Sequence, residues 1–172
     1  MFGITSAFSF FEKVRTDCAR VEADIADPGA ALNCVLSLYH LHEWVWARWL
    51  KQRPNVQATL GLRKEIESFK AWLDEKCPHF TLMQELANGT KHCRPVHPTK
   101  HVKGYGRGPF GVGPFGSPYL LIDLGHENPS AGRYLVAGEV LKENLDFWIG
   151  FFATHGIVDD VEPAQFLTAR GG

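Results

Sequence analysis

Residues 28–51 would place apolar side chains almost all the way round a helix. Leu32, Val35, Leu36, Tyr39, Trp46, Trp49 and Leu50 make one broad face, and Leu38, Leu41, Trp44 and Val45 extend it over most of the circumference. A helix apolar on most sides has to be covered on most sides, so it belongs at the centre of its domain. Its start is marked by Asp27-Pro28, an N-cap acid followed by a proline preset for the first helical position. Arg53-Pro54-Asn55 ends it, because proline disfavours helical geometry in the residue before it.

The covering elements follow from the same periodicity. In residues 6–26, Ala7, Phe11, Val14, Cys18, Val21 and Ile25 form one stripe, with Lys13, Arg15, Arg20 and Glu22 mostly off it. This helix shows no inward acid. A third helix fits 58–76, with Leu62, Ile66, Phe69 and Leu73 on one face. Cys77-Pro78 interrupts the pattern, and a fourth helix begins near Pro78 with Phe80, Met83, Leu86 and Ala87. Two ends are open to it: a cap at Asn88-Gly89, or passage through that pair to Cys93, before Pro95. A C-terminal helix over 138–155 carries Leu141, Leu145, Trp148 and Phe152 in one stripe.

Between the fourth and last helices the composition changes. Residues 94–118 hold Pro95, Pro98, Pro109, Pro114 and Pro118, and the tetrapeptide Gly-Pro-Phe-Gly occurs at both 108–111 and 113–116. This stretch reads as a long irregular basic loop. Tyr119 to Leu124 and Arg133 to Ala137 then read as a small β-hairpin within 119–137, which must pack on the helices to be stable. A chain of 172 residues suits one domain. The expected fold is mainly α: a four- or five-helix bundle with its helical core in 6–93 and the hairpin inserted before the C-terminal helix. Phe11, Tyr39, Trp46, Phe69, Trp148 and Phe152 are expected to be buried together, since aromatic side chains dominate such cores.

Charge is unevenly spread. No Asp or Glu occurs from Leu86 to Ile122, where Lys91, Arg94, Lys100, Lys103 and Arg107 sum to +5, while the whole chain is at −1. Such a segment could attract phosphate or serve as a solvated loop. Cys18, Cys34, Cys77 and Cys93 form no C-x-x-C pair, and the first two fall inside helical patterns, as small apolar residues of a reduced, cytoplasmic protein would. No apolar run approaches a membrane span, and Met1 to Phe11 lacks the basic start of a signal peptide.

Two polar groupings stand out. His40 and Glu43 share an edge of the central helix, where a carboxylate near the core needs a partner or a route to water. Asn88, Lys91 and His92 share one face if the fourth helix continues, and an amide, a cation and an imidazole together can hold an anion or move a proton. Lys91 is the expected partner of Glu43, which would bring the two groupings into one site. The structural alternatives are a hydrogen-bonded core histidine beside a surface glutamate, and a helix cap followed by a basic loop.

Metal chemistry finds little footing. His92, Cys93, His97 and His101, with Cys77 and His79 upstream, match no zinc spacing cleanly. A dimetal bundle would want several inward acids and Glu-x-x-His pairs, whereas His40 to Glu43 has the reverse order. No metal and no cofactor is therefore expected. There is also no G-x-S-x-G elbow, no phosphate-binding P-loop and no dinucleotide fingerprint.

The long helices, the His-x-x-acid-Trp pattern at His40 to Trp44 and the Asn-x-x-Lys-His pattern at Asn88 to His92 resemble small bacterial helical bundles of the HEPN class. The resemblance covers roughly residues 6–93. It implies a binding or regulatory domain for a nucleotide or nucleic-acid phosphate, held by His40, Glu43, Asn88, Lys91 and His92, and it implies a homodimer. The class also includes metal-independent ribonucleases, which makes a ribonuclease or other hydrolase using His92 as its catalytic group the enzymatic alternative. Their Arg-then-His signature has a match in spacing at Arg94 to His101, but Pro95 and Pro98 keep that stretch from being helical. A scaffold or assembly protein without a small-molecule site is the third alternative.

Overall fold

The computed structural model describes residues 2–92, 97–104, 107–125 and 132–158, with the side chain of Lys91 excepted. Among these residues are six α-helices, α1 (Ala7–Ala23), α2 (Pro28–Arg48), α3 (Pro54–Thr59), α4 (Ile66–Lys76), α5 (Phe80–Lys91) and α6 (Ala137–His155). A three-stranded antiparallel sheet, β1 (Thr99–Val102), β2 (Tyr119–Asp123) and β3 (Tyr134–Val136), precedes α6, with β2 in the middle.

The apolar circumference of α2 puts it at the centre, where α1, α4, α5 and α6 all touch it. Its N-cap is the expected one: Asp27 Oδ1 accepts the amide N–H groups of Gly29 at 2.7 Å and Ala30 at 3.2 Å, and Pro28 opens the helix. The six aromatic residues expected in the core are all buried. Phe11 stacks on Phe152 at 4.2 Å, which joins α1 to α6, and Trp46 lies 6.2 Å from Phe69, which joins α2 to α4.

Three expectations are corrected. The helix read over 58–76 is two helices. Gly61 takes a left-handed φ of +70°, its N–H bonds the carbonyl of Ala58, and Leu62 N–H bonds that of Gln57 at 2.8 Å. That is a Schellman cap, which stops α3 before the apolar stripe begins at Leu62. The two-stranded hairpin is a three-stranded sheet, because β1 forms inside the stretch read as loop and pairs Thr99 with Ile122 and Val102 with Tyr119. Helix α1 also has an inward acid. Asp17 is buried, accepts the Ser37 hydroxyl at 2.5 Å, and pairs with Lys13 and with Arg20 at 3.6 Å.

All five residues of β2 are buried, because the sheet is covered on both faces. Leu120 and Ile122 join the main helical core, while Tyr119 and Leu121 meet Val102 and Val136 in a second, smaller core. The duplicated Gly-Pro-Phe-Gly has a packing reason. A Cβ at Gly108 or Gly113, the first glycine of each copy, would overlap the Tyr119 ring, whose hydroxyl donates to the Val112 carbonyl at 2.6 Å. Phe110, in the first copy, stands exposed.

One carboxylate ties the sheet together. Asp123 is buried on β2 and receives Arg133 Nε at 2.9 Å and Nη2 at 3.0 Å, together with Lys100 Nζ of β1 at 3.0 Å. The Arg133 hydrogen bonds first, and then that of Lys100, hold its carboxyl well below the usual carboxylate range.

Candidate functional site

Helix α5 does not stop at Asn88-Gly89 but runs through it to Lys91. It lies antiparallel to α2. The rings of Tyr39 and His42 sit 6.0 and 5.3 Å from that of Phe80, the first residue of α5. At the other end, Gly89 and Thr90 face Pro28, Ala31 and Leu32 at the start of α2. The His40/Glu43 grouping and the Asn88/His92 grouping therefore lie at opposite ends of α5, about 18 Å apart along a helix of 1.5 Å rise. The expected meeting of the two does not occur.

Each grouping has its own local account. His40 Nδ1 and Glu43 Oε2 are 3.0 Å apart, with side chains 45% and 53% exposed, so Glu43 reaches water and needs no partner from α5. His42 is the buried member of this segment. Burial holds its imidazole below the ordinary histidine range, opposed in part by the hydrogen bond its Nδ1–H donates to the Tyr39 carbonyl. It is a neutral core residue. Asn88 and His92 are exposed, and the His92 N–H bonds the Asn88 carbonyl at 3.0 Å. The Lys91 side chain, Cys93 and Arg94 lie outside the described residues.

The run of α5 through Asn88-Gly89 matters for a different reason. It completes one wall of a cavity of about 440 Å3. Pro28, Ala31, Leu32 and Val35 of α2 form the second wall; Leu120 and Ile122 of β2, with Ala137 and Leu141 of α6, close it from the sheet side. Met83, Leu86 and Gly89 are the apolar part of the α5 wall. The polar members are few: Glu85 and Thr90 from α5, His97, and Thr99 from β1. His97 Nε2 lies 2.7 Å from Glu85 Oε2, with side chains 16% and 42% exposed. In the neutral ring, Nε2–H donates to the carboxylate and Nδ1 is left as an acceptor. Among the described residues, no group of three or more His, Cys, Asp and Glu could hold a metal ion.

A cavity of this size, apolar with a few polar groups at one side, has the usual form of a small-molecule site. Sequence reasoning missed it. In the sequence Leu32 and Val35 mark only a helix face, and His97 stands only in a weak zinc-like spacing. The signal present was Glu85, the last acid before the acid-free stretch, which folds back onto His97 within it.

No family model matches the chain, and neither does any curated protein or solved structure.

Proposed function

We propose that the chain is a binding domain for a small, largely apolar molecule with a hydrogen-bond-donating head. The observation that carries this is the cavity of about 440 Å3 between α2, α5, α6 and β2, walled by aliphatic side chains and bordered by the Glu85–His97 pair. Apolar walls supply affinity, and the carboxylate and imidazole acceptors orient a hydroxyl or amine. An anionic head is disfavoured there by the charge of Glu85.

A binding or regulatory role is also what the HEPN-like resemblance implies, but with a different ligand. The phosphate reading draws less support, because Lys100 of the basic stretch is already paired with buried Asp123. The hydrolase alternative rests on His92, an exposed residue away from the cavity lining. The homodimer is implied by the resemblance alone, and the broad apolar surface of α2 is largely met within the chain. The Trp44 ring of α2 stacks on Phe10 at 4.9 Å, lies under Arg48 at 5.9 Å and is half-buried. No helix among the described residues is long and apolar enough to cross a membrane.

The test uses N-phenyl-1-naphthylamine, an uncharged apolar amine that fluoresces on leaving water. Saturable binding at roughly micromolar concentration is expected. It should weaken at least tenfold in Ala31→Phe, whose ring fills the cavity, with the far-ultraviolet circular dichroism unchanged. Unsaturable fluorescence, or equal binding by wild type and a folded Ala31→Phe, refutes the proposal. Displacement of the dye by adenosine monophosphate but not by decanol returns weight to the phosphate reading.

A further inference from the structure

Cys18 on α1 and Cys34 on α2 are 4% and 0% exposed, and their sulfur atoms lie 2.6 Å apart. That separation falls between the roughly 2.0 Å of an S–S bond and the roughly 3.5 to 4 Å of unbonded heavy atoms in contact. The register that brings them together is fixed by neighbours toward the start of α1 and the end of α2. Asp17, next to Cys18, receives the Ser37 hydroxyl at 2.5 Å, and two turns earlier in α1 Phe10 stacks on Trp44 at 4.9 Å. The two cysteines are therefore held facing each other by contacts that do not involve sulfur.

We propose that Cys18 and Cys34 are a redox modification site, a reversible disulfide that cross-links α1 to α2. The oxidant is a low-molecular-weight disulfide, RSSR. One cysteine thiolate attacks it, the RS–SR bond breaks, and the released thiolate takes a proton to leave as RSH. The second cysteine then attacks the protein sulfur of the mixed disulfide, forming the Cys–Cys bond and releasing the second RSH. Two electrons and two protons pass from the cysteine pair to RSSR, and a reducing thiol reverses the sequence.

The chemistry does not run readily in the closed core. The Cys34 thiol is held far above the ordinary thiol range, first by its hydrogen bond with Cys18 and then by burial, and a mixed disulfide needs room. The exchange accordingly takes place when the α1–α2 hairpin opens, or before it closes during folding. Position then selects the pair, since the other thiol described, Cys77, is hydrogen-bonded by Asn144 Nδ2 at 3.3 Å in a different part of the core.

The experiment refolds the full chain from urea in a buffer of reduced and oxidised glutathione, so that access is not limiting. Free thiols are then alkylated in denaturant and the chain is cut with trypsin. Arg15, Arg20 and Arg48 bound the fragments 16–20 and 21–48, which carry Cys18 and Cys34 separately. The expected product is these two fragments joined, with a loss of about 2 Da from their summed mass, and separated again by dithiothreitol. Recovery of both fragments unlinked, alkylated or capped by glutathione, overturns the proposal. So does a majority product in which either is joined to Cys77 or Cys93.

Discussion

The buried polar contact between α1 and α2 gives a prediction that can be worked through. The Ser37 hydroxyl has one hydrogen and two acceptors in reach, Asp17 Oδ2 at 2.5 Å and the Asn33 carbonyl at 2.7 Å. The ionised acceptor takes it, because a hydrogen bond to a charged group contributes about 1.5 to 3 kcal/mol against about 1 for a neutral one. Ser37→Ala should therefore destabilise the fold by about 2 kcal/mol. Asp17→Ala removes the same bond and the pairings with Lys13 and Arg20, whose side chains are 40% and 66% exposed. Exposed partners of that kind add only about 0 to 1 kcal/mol each, so the expected cost is about 2 to 4 kcal/mol. In the double variant the shared bond is lost once. Its cost should stay close to that of Asp17→Ala alone, with a coupling of about 2 kcal/mol. Urea unfolding of the four proteins measures this directly, provided the denaturant slope is the same in each. Additive costs, with coupling below about 0.5 kcal/mol, would refute the assignment of the Ser37 proton to Asp17.

Two further outcomes are expected. Trp148 is 0% exposed, with the rings of Phe147 and Phe151 at 5.4 and 5.6 Å, so Trp148→Ala should cost about 3 to 5 kcal/mol, and an unchanged urea midpoint would contradict its place in the core. The carboxyl of Asp123 is held below its unfolded value, about 3.9, by Arg133 and Lys100. Its stabilisation is therefore complete above that value and is lost as pH falls through the folded one; thermal melts of Asp123→Asn should show a lower Tm at pH 7 and a flatter acid limb than wild type, and parallel limbs would contradict the linkage.

The extent to which the fold could be read in advance depended on whether the information was local. The apolar circumference of α2 and the Asp27-Pro28 start are properties of one segment, and both match the structure. The split between α3 and α4 was hidden because the stripe of Leu62, Ile66, Phe69 and Leu73 lies wholly beyond Gly61, and its periodicity does not register a cap that precedes it. Strand β1 was hidden for the opposite reason. Thr99, Lys100 and His101 are exposed and only Val102 is buried, so no alternation marks it, and Pro98 lies just outside the ladder, where an edge strand tolerates proline. Asp17 was overlooked because an acid beside an apolar stripe is ordinarily solvated, and its burial depends on Ser37 and Lys13 both being in place.

The site was harder to read than the fold because its parts are joined only by tertiary structure. Asn88-Gly89 marks a choice between stopping α5 and continuing it, yet what its continuation achieves depends on β2, which arrives some thirty residues later to face Ala31 and Val35. The acid-free stretch shows the same limit. Taken alone, Leu86 to Ile122 is a run of positive charge with no internal partner. The two acids that bound it, Glu85 before and Asp123 after, fold back onto His97 and Lys100 within it. One of these pairs borders the cavity and the other secures the strands beside it. The charge asymmetry that suggested an anionic partner in solution is thus partly answered inside the chain, and the cavity lining carries the Glu85 carboxylate and no lysine or arginine. In the proposed binding role that lining favours a neutral or cationic head over an anionic one.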